Sequence, residues 1–148
     1  MIQAIVVILL ASSLIAGNIE NRVEYLGGTL EQPPGQGGSL SLAHPETLTV
    51  EFRGKTLRVP YDRVNLVEYG QNVNRRLGLA IVVSPLFLLS KARKHFLTIG
   101  FQDSQGRQQA MVFRVDKGKI RTVLASLEAR TGLKVQYQDE EARKAGKG

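Results

Sequence analysis

The side chains that most often carry catalysis are few in this chain and far apart. It has two histidines, His44 and His95, and no cysteine, which excludes thiolate chemistry, disulfides and cysteine-ligated zinc. Neither histidine has further ligands at metal-binding spacing. The serines Ser12, Ser13 and Ser39 lie in no nucleophile elbow. We therefore predict that the chain is not an enzyme and has no catalytic residue, metal site or cofactor.

Two other patterns with chemical potential are incomplete. Residues 35–38 read GQGG, but no Lys-Ser or Lys-Thr follows and the surroundings are not strand–helix, so they do not form a phosphate cradle. The acidic residues form no pair suited to acid–base work. Three of them, at 139–141, fall in a charged C-terminal tail.

Positive charge is concentrated in the middle of the chain. The formal net charge is +7, from 20 basic and 13 acidic residues. Residues 53–94 contain nine basic and two acidic residues, an excess equal to that of the whole chain. Such a field attracts anionic lipid headgroups or nucleic acid, or simply keeps the protein soluble. We expect no nucleic-acid partner, because the few aromatic residues mostly occupy core-facing strand positions rather than stacking positions.

The N-terminal segment is almost wholly apolar. Residues 2–16 read IQAIVVILLASSLIA and carry no charge, which is typical of the hydrophobic region of a secretory signal. No Lys or Arg precedes this run, and it is shorter than the roughly 20 residues of a spanning helix. We predict that residues 1–17 are a signal peptide or membrane anchor and that the protein is exported or membrane-anchored. A buried first element of the domain is the alternative.

Residues 21–115 contain short β-type runs separated by turn signals. The clearest is residues 47–52, where Leu48, Val50 and Phe52 alternate with polar residues. Links between the runs are short, which favours antiparallel pairing because parallel pairs need long crossovers. Arg53-Gly54-Lys55 is predicted to form a tight hairpin turn between the third and fourth runs. Seven strands are predicted, at about residues 23–26, 39–43, 47–52, 57–59, 64–69, 95–101 and 109–115.

The pattern then changes to that of a helix. Four apolar residues stand at i, i+3, i+4 and i+7, on one helix face: Ile120, Val123, Leu124 and Leu127. Asp116 is predicted to be the N-cap and Gly132 the C-terminal stop. The tail at 138–148 is charged and lacks an apolar pattern, so we expect it to be disordered.

This order of elements resembles that of pleckstrin-homology-like (PH-like) domains. Residues 57–69, LRVPYDRVNLVEY, are similar to the strand, proline–tyrosine turn and strand of bacterial PH-like and GRAM-like domains. Residues 95–101 and 112–114 are similar to their last two strands. The resemblance covers residues 21–137. It implies a mainly β fold, a seven-stranded antiparallel bent barrel or sandwich capped by one C-terminal amphipathic helix, and binding of lipid headgroups or peptides.

The chain departs from the lipid-binding members in one respect. The basic motif of the first hairpin, Lys-x(n)-Arg-x-Arg, is missing, and the loop at residues 31–38 contains no basic residue. Binding of inositol phosphates in that manner is therefore not expected.

An apolar insertion interrupts the β pattern. Residues 77–90, LGLAIVVSPLFLLS, are fourteen uncharged residues between two basic clusters. An exposed run of this kind must be covered by something. A bilayer interface, the protein's own core and a second copy of the chain are all consistent with it. The predicted contact residues are Arg75, Arg76, Leu79, Val82, Leu86, Phe87, Leu88, Lys91, Arg93 and Lys94.

Two functions follow from this surface. The first is a membrane-associated binding module whose 75–95 loop contacts anionic lipid, with its cations on the phosphates. The second is an extracytoplasmic module for protein interaction or homo-oligomerisation that uses the same loop.

Overall fold

The computed structural model of the chain describes residues 20–70, 82–83, 95–138 and 140–147, and only the backbone of residues 82, 83 and 141. The predicted signal or anchor at 1–17 lies outside these residues, as does most of the apolar insertion. The described strands are β1 (Glu20–Gly28), β2 (Gln36–Ser41), β3 (Thr47–Phe52), β4 (Lys55–Pro60), β5 (Val64–Gly70), β6 (Val82–Val83), β7 (Phe96–Gln102), β8 (Gln108–Val115) and β9 (Gln136–Tyr137). The helices are α1 (Ile120–Thr131) and α2 (Glu140–Lys147), and a 3₁₀ turn spans Tyr61–Arg63.

All the described strands belong to one sheet. Their order is β4-β3-β2-β1-β8-β7-β5-β9, and β6 pairs with β1 beside this path. The sheet therefore consists of two antiparallel meanders, β1–β4 and β5-β7-β8, joined through the β1–β8 pair. In the described part of the chain its ends, β4 and β9, are not paired with each other.

The prediction of a mainly β fold with a short C-terminal helix is confirmed, but that of seven antiparallel strands is wrong in detail. The structure has two further strands of two residues each, β6 and β9. β9 pairs with β5 in parallel, at Glu68 and Tyr69. The reason is that the chain returns along the β5 edge after α1, where the Gln138 N–H donates to the Tyr69 carbonyl oxygen at 3.2 Å.

The hairpin predicted from the alternating pattern is present. β3 and β4 pair from Thr47↔Pro60 to Phe52↔Lys55, and Arg53 and Gly54 form the turn between them. Gly54 has φ +76°, a left-handed conformation that glycine adopts at no steric cost. The inward residues of this hairpin are buried in the core.

Helix α1 packs its predicted face into the core. All four of its patterned apolar residues are buried there: Ile120, Val123, Leu124 and Leu127. Gly132 ends the helix as predicted, with φ 73° and its N–H on the carbonyl oxygen of Glu128 at 2.9 Å. The N-cap prediction is wrong. Lys119 is the N-cap and makes no side-chain cap bond. Asp116 instead contributes its backbone carbonyl, which accepts from Ile120 N–H at 3.0 Å.

The C-terminal tail differs from the expected disorder, because Glu140–Lys147 form α2. Ala142 is buried in the core cluster and Ala145 packs against it. Gly146 lies so close to Tyr137 and Tyr69 that an added Cβ would meet both rings. Small residues allow the helix to approach the sheet closely, and they leave no apolar pattern in the sequence.

Candidate functional site

The strands β1, β5, β7 and β8 bury residues on both of their faces. Side chains alternate along a strand, and the inward set joins the main core: Val23, Tyr25, Val67, Tyr69, Leu97, Ile99, Phe101, Met111, Phe113 and Val115. A second set is also buried but does not belong to that core cluster. It consists of Leu26, Leu66, Glu68, Phe96, Thr98, Gly100, Ala110 and Val112. We call this second set the outward apolar face.

Strand pairing places these residues on one face, apart from Leu26, which falls at the bulge of β1. Leu66 is paired with Gly100, which is paired with Ala110, which lies two residues from Val112 on β8. The neighbouring row runs from Glu68 through Thr98 to Val112 and ends at Gly27 of β1. The face is therefore continuous across four strands.

The first half of the sheet has a different outward face. The outward residues of β2, β3 and β4 are polar and partly or fully exposed: Ser39, Ser41, Thr49, Glu51, Thr56 and Arg58. This is the ordinary arrangement of an antiparallel sheet with one solvated side. The outward apolar face departs from it, so that half of the sheet requires a cover on its second side.

Polar groups mark the edges of the outward apolar face. Glu24 of β1 and Arg114 of β8 form an ion pair at one end. At the other end Thr29 closes the β1–β8 ladder: its N–H donates to the Ala110 carbonyl at 2.9 Å, and its hydroxyl accepts from the Ala110 N–H at 3.0 Å. These contacts fix how the two strands lie against each other on either side of the apolar area.

A buried carboxylate lies within the outward apolar face. Glu68 is 1% exposed, and its Oε1 accepts a hydrogen bond of 2.8 Å from Gln138 Nε2. Thr98, its pairing partner on β7, is 2% exposed. Burying a carboxyl group is costly unless hydrogen bonds satisfy it, and the bond from Gln138 offsets part of that cost. Glu68 was not predicted from the sequence, because a single acidic residue in a strand gives no signal of burial.

The insertion begins and ends at paired positions of the sheet. Gly70, the last residue of β5, is the register partner of Phe96, the first residue of β7. Tyr69 and His95 stack with ring centroids 5.9 Å apart and an interplanar angle of 9°, and the Tyr69 hydroxyl is hydrogen-bonded to His95 Nδ1. Burial lowers the pKa of His95, and the nearby cation of Lys117 lowers it further, against an opposite effect of Asp116. Which of the two groups donates is set by the tautomer of the imidazole.

Only two residues of the insertion are described. Val82 and Val83 form β6, whose backbone pairs antiparallel with Gly28 and Gly27 of β1. Nine of the ten predicted contact residues lie outside the described part of the chain: Arg75, Arg76, Leu79, Leu86, Phe87, Leu88, Lys91, Arg93 and Lys94. Val82, the tenth, is described in its backbone alone.

One cleft of about 500 Å³ lies between the end of α1, β9 and α2. Its lining carries both signs of charge, from Glu128, Glu140, Lys134, Arg143 and Lys147. Burial raises the pKa of the Tyr137 hydroxyl in this lining, and Glu128 raises it further. Glu128 is engaged by the Val135 N–H at 2.8 Å. Because its charges are of both signs, the lining does not provide a set of like groups that would converge on one ligand.

The described residues contain no group of three or more His, Cys, Asp or Glu that could hold a metal ion. No helix among them combines the length and apolar character needed to cross a membrane.

Comparison with family models and with curated proteins finds no match for this chain.

Proposed function

We propose that the chain is a non-enzymatic binding module associated with a membrane, and that its 75–95 loop contacts anionic lipid. The observation that carries the proposal is the pairing of Gly70 with Phe96. Because the insertion leaves and re-enters the sheet at one place, its two basic clusters both lie within a few residues of the same base. The uncharged run at 77–90 is then the part farthest along the chain from that base.

Charge at the base of the insertion supports the proposal. Lys117 is exposed and close enough to His95 to lower its pKa, so it adds a fixed cation at the base of the insertion. Cations around an apolar segment suit a bilayer interface, where they meet lipid phosphates. The sheet order supports the resemblance to PH-like domains, since two meanders joined through β1 and β8, with a helix on the core, fit the architecture that the resemblance implies.

The test uses the full chain with one introduced cysteine at a time. A dye then labels that position alone, because the chain has no cysteine of its own. An environment-sensitive dye is placed in turn at Leu86→Cys, Phe87→Cys and Leu88→Cys, and at exposed Thr56→Cys on β4 as the control. Three consecutive positions are used because consecutive residues point in different directions in any regular structure. With anionic vesicles that contain brominated acyl chains, we expect quenching at one or more of the loop positions and none at residue 56.

A charge-matched pair of variants tests the role of the cations. Lys91, Arg93 and Lys94 are changed together to Gln, and Arg53, Lys55 and Arg58 of the exposed β3–β4 hairpin serve as the control triple. Each cation near an anionic surface contributes about 1 kcal/mol, so the loop triple should weaken the salt-sensitive binding by roughly 100-fold. The control triple should weaken it far less.

Absence of quenching at all three loop positions, from protein that is bound to the vesicles, would sink the lipid-contact proposal. If the mass of the protein also rises with concentration, the alternative is favoured, an extracytoplasmic interaction or oligomerisation module that uses the same loop. Sedimentation of the wild-type chain over a hundredfold range of concentration measures that mass.

A further inference from the structure

We infer that the chain's own apolar run, residues 77–90, packs against the outward apolar face of the same molecule. The face includes Leu66, Phe96, Ala110 and Val112, all of them buried, outside the main core cluster. Of the described helices, α1 and α2 contribute their buried residues to the main core instead. The cover must therefore come from another part of this chain or from a partner.

The β6–β1 pair favours the insertion over other occupants. Val82 and Val83 pair with Gly28 and Gly27, and Gly27 is also the β8 partner of Val112. The middle of the apolar run is thus fixed by its backbone at the border of the outward apolar face. A second copy of the chain is not needed to bring an apolar segment to this place.

Connectivity leads to the same conclusion. The insertion starts after Gly70 of β5 and ends before His95 and β7, while β6 lies beyond β8 and β1, four strand spacings from β5 and three from β7. At about 4.8 Å per spacing the distance from β5 is about 19 Å, which eleven residues, 71–81, are long enough to span because they reach at most about 36 Å. The inward side of β8 and β1 is filled by the core, which leaves their outward side for a connection to β6.

The N-terminal apolar segment is a less suitable occupant of the outward apolar face. It joins β1 at Glu20, whose register partner is Ser41 of β2, at the end of β1 that is opposite to Gly27 and Gly28. The first β8 partner of β1 is Val23. The segment therefore joins the sheet at the end of β1 that is farther from β6.

This inference does not rest on the proposed function, because a run seated in cis can either remain covered by the protein alone or offer its other side to a bilayer. The two tests are separate. The first measures the contact of the loop with lipid, and the second measures its contact with Val112 in the absence of lipid.

The experiment is disulfide crosslinking in the full, otherwise cysteine-free chain. Val112→Cys is combined in turn with Leu79→Cys, Val82→Cys, Leu86→Cys or Leu88→Cys, and with Leu9→Cys of the N-terminal segment. Thr49→Cys, on the polar outward face of β3, replaces Val112→Cys in the control series. After mild oxidation without lipid, we expect an intramolecular disulfide, located by peptide mass, from Val112→Cys with at least one loop position. The Thr49→Cys series should give none.

Three results would overturn the inference. They are no disulfide from any Val112→Cys pair, disulfides that form only between chains, and a disulfide of Val112→Cys with Leu9→Cys in place of the loop positions. The second would assign the face to a second copy, and the third to the N-terminal segment.

A labelling measurement decides the matter if a double variant does not fold. The single variant Val112→Cys should react with a maleimide at least 100-fold more slowly than Thr49→Cys. Replacement of residues 77–90 by a Gly-Ser segment of equal length should bring the two rates within tenfold. If Val112→Cys remains protected in that folded variant, the run is not its cover.

Discussion

Tyr69 and His95 lie face to face at the base of the insertion, with ring centroids 5.9 Å apart and a hydrogen bond between the tyrosine hydroxyl and the imidazole. Tyr69 is in β5 and His95 immediately precedes β7. The contact therefore joins the two positions at which a 24-residue segment, 71–94, leaves and rejoins the sheet. Its strength depends on the protonation state of one histidine.

Acid should loosen this contact. The folded pKa of His95 is below its ordinary value because of burial and Lys117, so its contribution to stability is complete above the unfolded pKa of about 6.5. It is lost as the pH falls through the lowered folded pKa. Urea unfolding between pH 7.5 and 5 should show a decline that His95→Gln reduces.

Two controls accompany this measurement. His44→Gln should retain the part of the decline that is due to His95. Tyr69→Phe should lower the stability at pH 7.5 by about 1 kcal/mol through the lost hydrogen bond, and should keep most of the pH dependence, because burial and Lys117 lower the pKa of His95. An unchanged pH dependence in His95→Gln would contradict the prediction.

The hydrogen bond between buried Glu68 and half-buried Gln138 should couple the two residues strongly. Either Glu68→Ala or Gln138→Ala removes this bond, at an expected cost of about 1–3 kcal/mol. A double-mutant cycle measured by urea unfolding should give a coupling energy between about 0.5 and 3 kcal/mol. The control is Asn65 and Gln108, whose side chains exchange hydrogen bonds of 2.6 and 3.1 Å at an exposed site and should couple more weakly. Equal coupling in both pairs would show that burial does not matter here.

Gly28 should tolerate no side chain. Its φ is +137°, and an added Cβ would collide with the carbonyl oxygen of Ala110, so Gly28→Ala should destabilise the protein by roughly 2–3 kcal/mol. Gly118 has open space around its Cβ position and no positive φ. Gly118→Ala should change stability by less than about 1 kcal/mol, in either direction. Urea unfolding of both variants makes the comparison, and similar losses in the two would refute the steric argument.

Sequence periodicity was sufficient to locate a strand or helix where one face of that element is buried and the other is solvated. The alternation at Leu48, Val50 and Phe52 located β3, and the spacing of Ile120, Val123 and Leu127 located the buried side of α1. In both cases the positions between these apolar residues are polar because they face solvent. The mainly β class and the hairpin turn at Gly54 followed for the same reason.

Burial on both faces was harder to predict. The near-continuous apolar runs in β7 and β8 were the available signal, since strands covered on two sides lose the alternation. No local pattern reveals that Glu68 is buried, because its partner Gln138 is 70 residues away. Helix α2 was missed because Ala142 and Gly146 pack through their small size rather than through apolar bulk.

The β1–β8 pair also sets the order in which the sheet can form. Strands β1 to β4 pair with their neighbours in sequence and close short loops, whereas Val23 must find Val115, 92 positions later along the chain. Contacts of such high sequence separation form slowly because the loop entropy is lost before they stabilise anything. The first meander can therefore assemble while the ribosome is still synthesising the second, and the outward apolar face does not exist until β8 has been made.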